Sequence, residues 1–144
     1  MTVQTPRVLV VDDDTGTLLT YGAILQFAGY EVDTATSGAK GLSACFHDEP
    51  DILIVELHLP DMNGLDLLRS LRQASVLAPC VVVTGFGTFQ TAVEALRLGV
   101  RNYLEKPLTE TQLVLAIRDL VTPTREGPLS DCDRLALLCH VHAL

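Results

Sequence analysis

Apolar residues along this chain fall into short runs, separated by longer stretches in which they recur every three or four positions. The runs predict strands over 7–11, 31–35, 51–55, 81–84 and 102–105, with helical spacing between them. Three runs, Val8-Leu9-Val10-Val11, Ile52-Leu53-Ile54-Val55 and Val81-Val82-Val83, contain no polar residue. A strand that is apolar on both faces is one covered on both faces, so these three are expected at the centre of a parallel sheet flanked by helices.

The stretches between strands carry recognisable helix ends. Asp14 is placed to cap a helix starting near Thr15, and Gly29 after Ala28 and Gly99 after Leu98 read as C-terminal stops. Thr109 with Gln112 three residues on forms a capping box, after which Leu113, Ile117, Leu120 and Val121 define one buried face. Five strand and helix pairs over residues 7–121 predict an α/β fold, a doubly wound five-stranded parallel sheet with five helices. Ligands in such a fold sit beyond the carboxyl ends of the strands, at the switch point of the sheet.

Length and charge narrow the function classes. With 144 residues, 48% of them apolar, the chain fits one domain with a sizeable core. A formal charge of -8 with only 10 Lys and Arg argues against a nucleic-acid surface. Cys45, Cys80, Cys132 and Cys139 form no C-x-x-C pair, which suits a reducing cytoplasm. No apolar stretch approaches the roughly 20 residues that span a bilayer, and the N-terminus has no signal-peptide core. The expectation is a soluble, cytosolic domain over 1–121, followed over 122–144 by a linker with two prolines and a glycine and a short helix carrying Leu135, Leu138 and Val141. Cys132, Cys139, His140 and His142 in that tail match no zinc spacing, and packing is the expected role of the segment.

Polar groups are concentrated where the predicted strands end. The first strand runs into Asp12-Asp13-Asp14, the third into Glu56-Leu57-His58-Leu59-Pro60-Asp61-Met62-Asn63-Gly64, the fourth into Thr84-Gly85, and the fifth, after Tyr103, into Lys106-Pro107. With Asp14 assigned to a helix cap, Asp12 and Asp13 remain as neighbouring acids that repel unless a cation or ammonium offsets them. An acid pair, a lone acid, a hydroxyl and a lysine arriving from separate buried strands point to one site for a charged ligand. Gly64 and Gly85 are expected to serve tight turns.

On these motifs the chain resembles the receiver domains of bacterial response regulators: V-V-D-D-D after strand one, L-x-L-P-x-M-x-G after strand three, V-T-G after strand four and Y-L-x-K-P after strand five, in the family's order and at its intervals, over about residues 7–121. The resemblance implies a flavodoxin-like receiver fold. It implies that Asp12, Asp13, the acid at position 56 and the carbonyl of His58 hold magnesium, that Thr84 and Lys106 contact a phosphoryl group, and that Tyr103 is the aromatic that reorients with Thr84. It further implies phosphoryl transfer from a sensor histidine kinase, a cis bond before Pro107, and output through the face made by the fourth helix, fifth strand and fifth helix.

The family carries aspartate where this chain has Glu56. The added methylene carries the carboxylate roughly 1.5 Å further, into the space between Thr84 and Lys106, where it is expected to accept bonds from both. A displacement near 1 Å can cost about a hundredfold in rate, so Glu56 is read as no phosphoacceptor. Glu56 is also expected to imitate the phosphorylated state in part, with about one charge and two oxygens against nearly two charges and three oxygens for a phosphoryl group. The plainer alternative is a permanent Glu56–Lys106 ion pair. Asp51 and Asp61 are expected to stay outside the pocket.

The leading expectation is a non-enzymatic, phosphorylation-independent two-component signalling module that binds a histidine kinase or a downstream protein, or pairs with a second copy. One alternative is an ordinary phosphoaccepting receiver carrying a deliberate Asp-to-Glu change. Another, from a different class, is a small magnesium-dependent phosphatase or hydrolase, which would use Asp13 or Glu56 as base.

Overall fold

The computed structural model describes residues 5–120. Its elements follow in strict alternation: β1 (Arg7–Val11), α1 (Thr15–Phe27), β2 (Glu31–Ala35), α2 (Gly38–His47), β3 (Ile52–Val55), α3 (Gly64–Gln73), β4 (Cys80–Thr84), α4 (Phe89–Arg97), β5 (Asn102–Glu105) and α5 (Glu110–Arg118). All strand pairs are parallel and the sheet order is β2-β1-β3-β4-β5, so chain direction across the sheet reverses between β1 and β3. The three wholly apolar runs are the three inner strands. The five-stranded, flavodoxin-like arrangement is the one the sequence predicts, with β3 starting one residue later and β4 one residue earlier than the periodicity suggests.

Strand alternation sends side chains to two cores. Leu9, Val11, Leu53, Val55, Val82 and Tyr103 join residues of α2, α3 and α4 on one face. Val8, Val10, Ile52, Ile54, Val81, Val83 and Leu104 meet Leu18, Tyr21 and Leu25 of α1 and Leu113, Ala116 and Ile117 of α5 on the other. The period-two pattern is hidden in the sequence because both faces are apolar.

Helix ends behave as the sequence indicates. Asp14 caps α1, accepting from Gly16 N, and Thr109 and Gln112 form the reciprocal capping box of α5. Gly29 and Gly99 take φ of 101° and 81°, the left-handed region where a glycine ends a helix without strain. On α5, Leu113 and Ile117 are fully buried and Leu120 partly so. Val121, the linker over 122–128 and the helix expected after Ser130 lie outside the described residues. Among the described residues no helix is long and apolar enough to cross a membrane.

Cys45 and Cys80 lie buried as reduced thiols, and burial pushes them up from an ordinary 9.0 to about 11 and about 12. The unfolded chain therefore sheds these protons first as pH rises, and stability falls above pH 9 by up to about 1.4 kcal/mol per pH unit for each thiol. Urea unfolding at pH 8 and pH 10 should show this loss. Cys80→Ala, though less stable at pH 8, should lose less between the two.

Candidate functional site

The strands end together, and their last residues bring the polar groups to one edge. Register pairs Val11 with Val55, so Asp12 and Glu56 emerge side by side from neighbouring strands. Asp12 is 4% exposed, Glu56 8% and Thr84 0%, the buried polar and charged residues among those described. Lys106 follows β5 and is fixed there by its backbone N–H, which donates to the carbonyl of Thr84 at 2.9 Å. The Lys106–Pro107 bond is cis, as the resemblance implies.

Lys106 chooses Asp12. Its Nζ donates to Asp12 Oδ2 at 2.6 Å and lies 3.7 Å from Glu56 Oε1, a charge contact beyond hydrogen-bonding range. The other Asp12 oxygen accepts from the amide of Asp14 at 2.9 Å. Burial works to lower the pKa of Lys106, but its bond to Asp12 and the charges of Asp12 and Glu56 outweigh that, so the ammonium is held above its usual range. One cation thus balances two nearly buried carboxylates.

Glu56 departs from the sequence expectation. Neither of its oxygens bonds Thr84. Oε2 instead accepts from the following amide, Leu57 N, at 3.0 Å. The longer side chain has the slack to fold back on its own backbone, and Asp12 already holds the ammonium. Thr84 Oγ1 accepts from Phe86 N at 3.3 Å, at the start of the loop into α4.

The remaining candidates divide between pocket and rim. Asp13 is exposed and lines an open groove of about 440 Å³ with His58, Asp61 and Asn63. His58 is also exposed; its ring packs edge-on against Phe86 and its Nε2 donates to the Phe86 carbonyl at 3.3 Å. Asp61 is taken up by α2, accepting from Gly38 N at 2.8 Å and Ala39 N at 2.9 Å. Those bonds, Ala39 first, hold its carboxyl below the usual range. Asp51 accepts from Arg7 N at the far end of the sheet. Asp51 therefore lies away from the strand-end site, and Asp61 lines the groove with both carboxylate oxygens taken by α2. Tyr103 is buried at 1% exposure, with its hydroxyl 2.8 Å from Thr91 Oγ1.

Gly64 and Gly87 are required by close approach of other groups, not by turn geometry. Gly64 and Gly85 both lack the positive φ of a tight turn. A Cβ on Gly64 would stand 2.3 Å from the carbonyl oxygen of Glu56, whereas one on Gly85 would meet nothing within 4 Å. Gly64 serves close approach of α3 to the end of β3, and Gly85 is sterically unconstrained. Gly87, not singled out by the sequence, faces Tyr103 in the same way: an added Cβ would lie 2.3 Å from its hydroxyl.

Comparison with known proteins agrees with this geometry. The probable transcriptional regulatory protein SilR of Salmonella typhimurium is 38% identical over 117 residues, covering 80% of this chain and 50% of that protein. The transcriptional regulatory protein CusR of Escherichia coli K12 is 37% identical, covering 80% of this chain and 51% of its own length. The chain thus spans about half the length of these relatives. A CheY-like receiver domain protein from Methanospirillum hungatei JF-1 superposes with a TM-score of 0.77 at 32% identity, covering 82% of this chain and 94% of that one. Residues 8–118 match the response regulator receiver domain family, and the chain, built on that fold with its polar strand ends gathered at one edge, belongs to it.

Proposed function

We propose that the chain is a phosphorylation-independent receiver module, not an enzyme, that signals by protein contact through the face of α4, β5 and α5. The observation that carries the reading is the state of Glu56, the acid at the end of β3. The residue is 8% exposed, with its carboxylate bonded back to Leu57 N and 3.7 Å from an ammonium that pairs with Asp12. An acceptor must present an oxygen in line with an incoming phosphorus, whereas here one oxygen is tied to the chain's own amide and the other faces Lys106.

Asp12, Asp13 and the carbonyl of His58 are hard oxygen donors, the type magnesium takes while keeping several waters. Among the described residues no three His, Cys, Asp or Glu side chains gather into a metal cluster, so an ion here would be held by one or two carboxylates and water. When bound, magnesium would offset charge on a phosphoryl oxygen. Of the chain's own groups, Lys106 supplies the fixed positive charge and Thr84 the hydroxyl.

A groove of about 270 Å³ between β5 and α5, lined by Leu104, Leu108, Leu115 and Ala116 among others, supports the contact face. Leu115 there is 49% exposed, and Phe89 at the start of α4 is 57% exposed. The partner is a sensor histidine kinase, a downstream protein or a second copy of this domain. The relatives' description as transcriptional regulatory proteins supports an output in transcription, and the charge of -8 with only 10 Lys and Arg argues against DNA contact by this domain's own surface. In magnesium and phosphoramidate, intact mass spectrometry of this chain is expected to show no phosphoryl adduct. An adduct would overturn the claim of phosphorylation independence.

A further inference from the structure

We infer that Thr91 is a positioning residue for Tyr103, and that the two, with Gly87 as their clearance, keep the ring buried without help from position 56. The inference deepens the reading above and rests on it in taking α4, β5 and α5 as the working surface. Tyr103 belongs to the core cluster that contains Val82, Ala92 and Ala95, under α4. A buried phenol needs a partner for its O–H, and the partner is Thr91 Oγ1 at 2.8 Å.

Thr91 is itself part of the start of α4. Its Oγ1 accepts from Thr88 N at 2.9 Å and donates to the Thr88 carbonyl at 2.9 Å, while Thr88 Oγ1 accepts from Thr91 N at 3.1 Å. A hydroxyl has one proton and two lone pairs. With the proton on the Thr88 carbonyl and one lone pair on the Thr88 amide, the other lone pair faces the Tyr103 hydroxyl at 2.8 Å and the Thr88 hydroxyl at 3.2 Å, and the shorter contact is the one to Tyr103. The ring is therefore anchored to the capping box of α4 itself.

Space at Gly87 decides whether the ring fits. A Cβ there would stand 2.3 Å from the Tyr103 hydroxyl and 3.0 Å from two ring carbons, and Gly87 has no positive φ to require glycine on its own account. Nothing at position 56 takes part, because Glu56 bonds Leu57 N and leaves Thr84 to Phe86. Buried ring, intact cap and the loop over 85–88 form one unit, and loss of the Thr91 hydroxyl is expected to shift the ring outward.

The test incorporates 3-fluorotyrosine into the full chain, whose 3 tyrosines give separate fluorine resonances, with Tyr103 assigned by Tyr103→Phe. Solvent access is read as broadening by a soluble, neutral gadolinium chelate. The Tyr103 signal is expected to be shielded in this chain and in Glu56→Gln alike. Thr91→Val should raise the outward population about fivefold, the factor that roughly 1 kcal/mol of net hydrogen bonding is worth. Thr91→Ser should restore shielding, and Gly87→Ala should abolish it. Unchanged shielding in Thr91→Val or Gly87→Ala would overturn the inference, as would exposure caused by Glu56→Gln alone. Phosphoryl labelling of this chain would remove the reading of Glu56 and leave the Tyr103 result standing, so the two failures are distinct.

Discussion

Glu56→Asp is expected to turn this chain into a phosphoacceptor, with labelling by acetyl phosphate in magnesium rising at least about a hundredfold, the scale of rate lost to a misplacement near 1 Å. Shortening the side chain by one methylene removes the slack that lets the carboxylate return to Leu57 N, a bond of 3.0 Å in this structure. The shorter group projects beside Asp12, within the field of Lys106. The reaction forms one bond from carboxylate oxygen to phosphorus and breaks the bond from phosphorus to the acetyl oxygen, releasing acetate. Lys106 then offsets charge on the transferred group, and Thr84 turns its hydroxyl from Phe86 N toward it. Intact mass on both chains, with and without magnesium, checks the claim. If Glu56→Asp stays unlabelled, the fault lies elsewhere in the pocket and the argument from position 56 fails.

Gly64→Ala is expected to cost about 3 kcal/mol, the upper part of the usual range for overpacking, and to lower Tm by roughly 10 °C. The added Cβ would meet the Glu56 carbonyl oxygen at 2.3 Å and Val55 Cγ1 at 2.8 Å. Neither can retreat freely: the carbonyl belongs to the end of a central strand, and Val55 is fully buried. Gly64 N also donates to the Leu57 carbonyl at 2.7 Å, so α3 cannot move away without breaking that bond. Gly38→Ala is the informative contrast. Its Cβ would meet Met62 Cγ at the same 2.3 Å, but Met62 is a flexible side chain that can turn aside, so the expected loss is much smaller. Thermal unfolding of the two variants beside the parent checks the difference, and equal losses would show that contact distance outweighs what is contacted.

Much of the candidate site is legible along the chain because each member stands directly after a buried strand. Asp12 follows Val11, Glu56 follows Val55, Thr84 ends β4, and Lys106 follows Glu105. A polar residue there breaks an apolar run, and parallel strands deliver all such breaks to one edge. The helix caps are legible for a local reason as well, since Asp14 and the Thr109–Gln112 pair bond within three residues of themselves. Gly87 and Thr91 carry no such signal, and Tyr103 is picked out only by the family resemblance. A glycine and a threonine near a helix start are ordinary, and the contact that gives them a role, with Tyr103, lies on a strand.

Alternation of apolar runs and helical spacing, together with charge and strand-end residues, determines from the sequence alone the fold, the central strands and which polar residues gather at the strand ends. These follow from burial and backbone hydrogen bonding, which act on each segment locally and leave a periodic mark. The tertiary structure alone decides that Lys106 donates its hydrogen bond to Asp12 at 2.6 Å and keeps only a longer, 3.7 Å ion pair with Glu56, that Glu56 turns one oxygen back on Leu57, and that Tyr103 is held under α4 by Thr91. Those outcomes depend on side-chain rotamers and on differences near 1 Å between groups from separate strands. Neither is encoded in the spacing of residues along the chain.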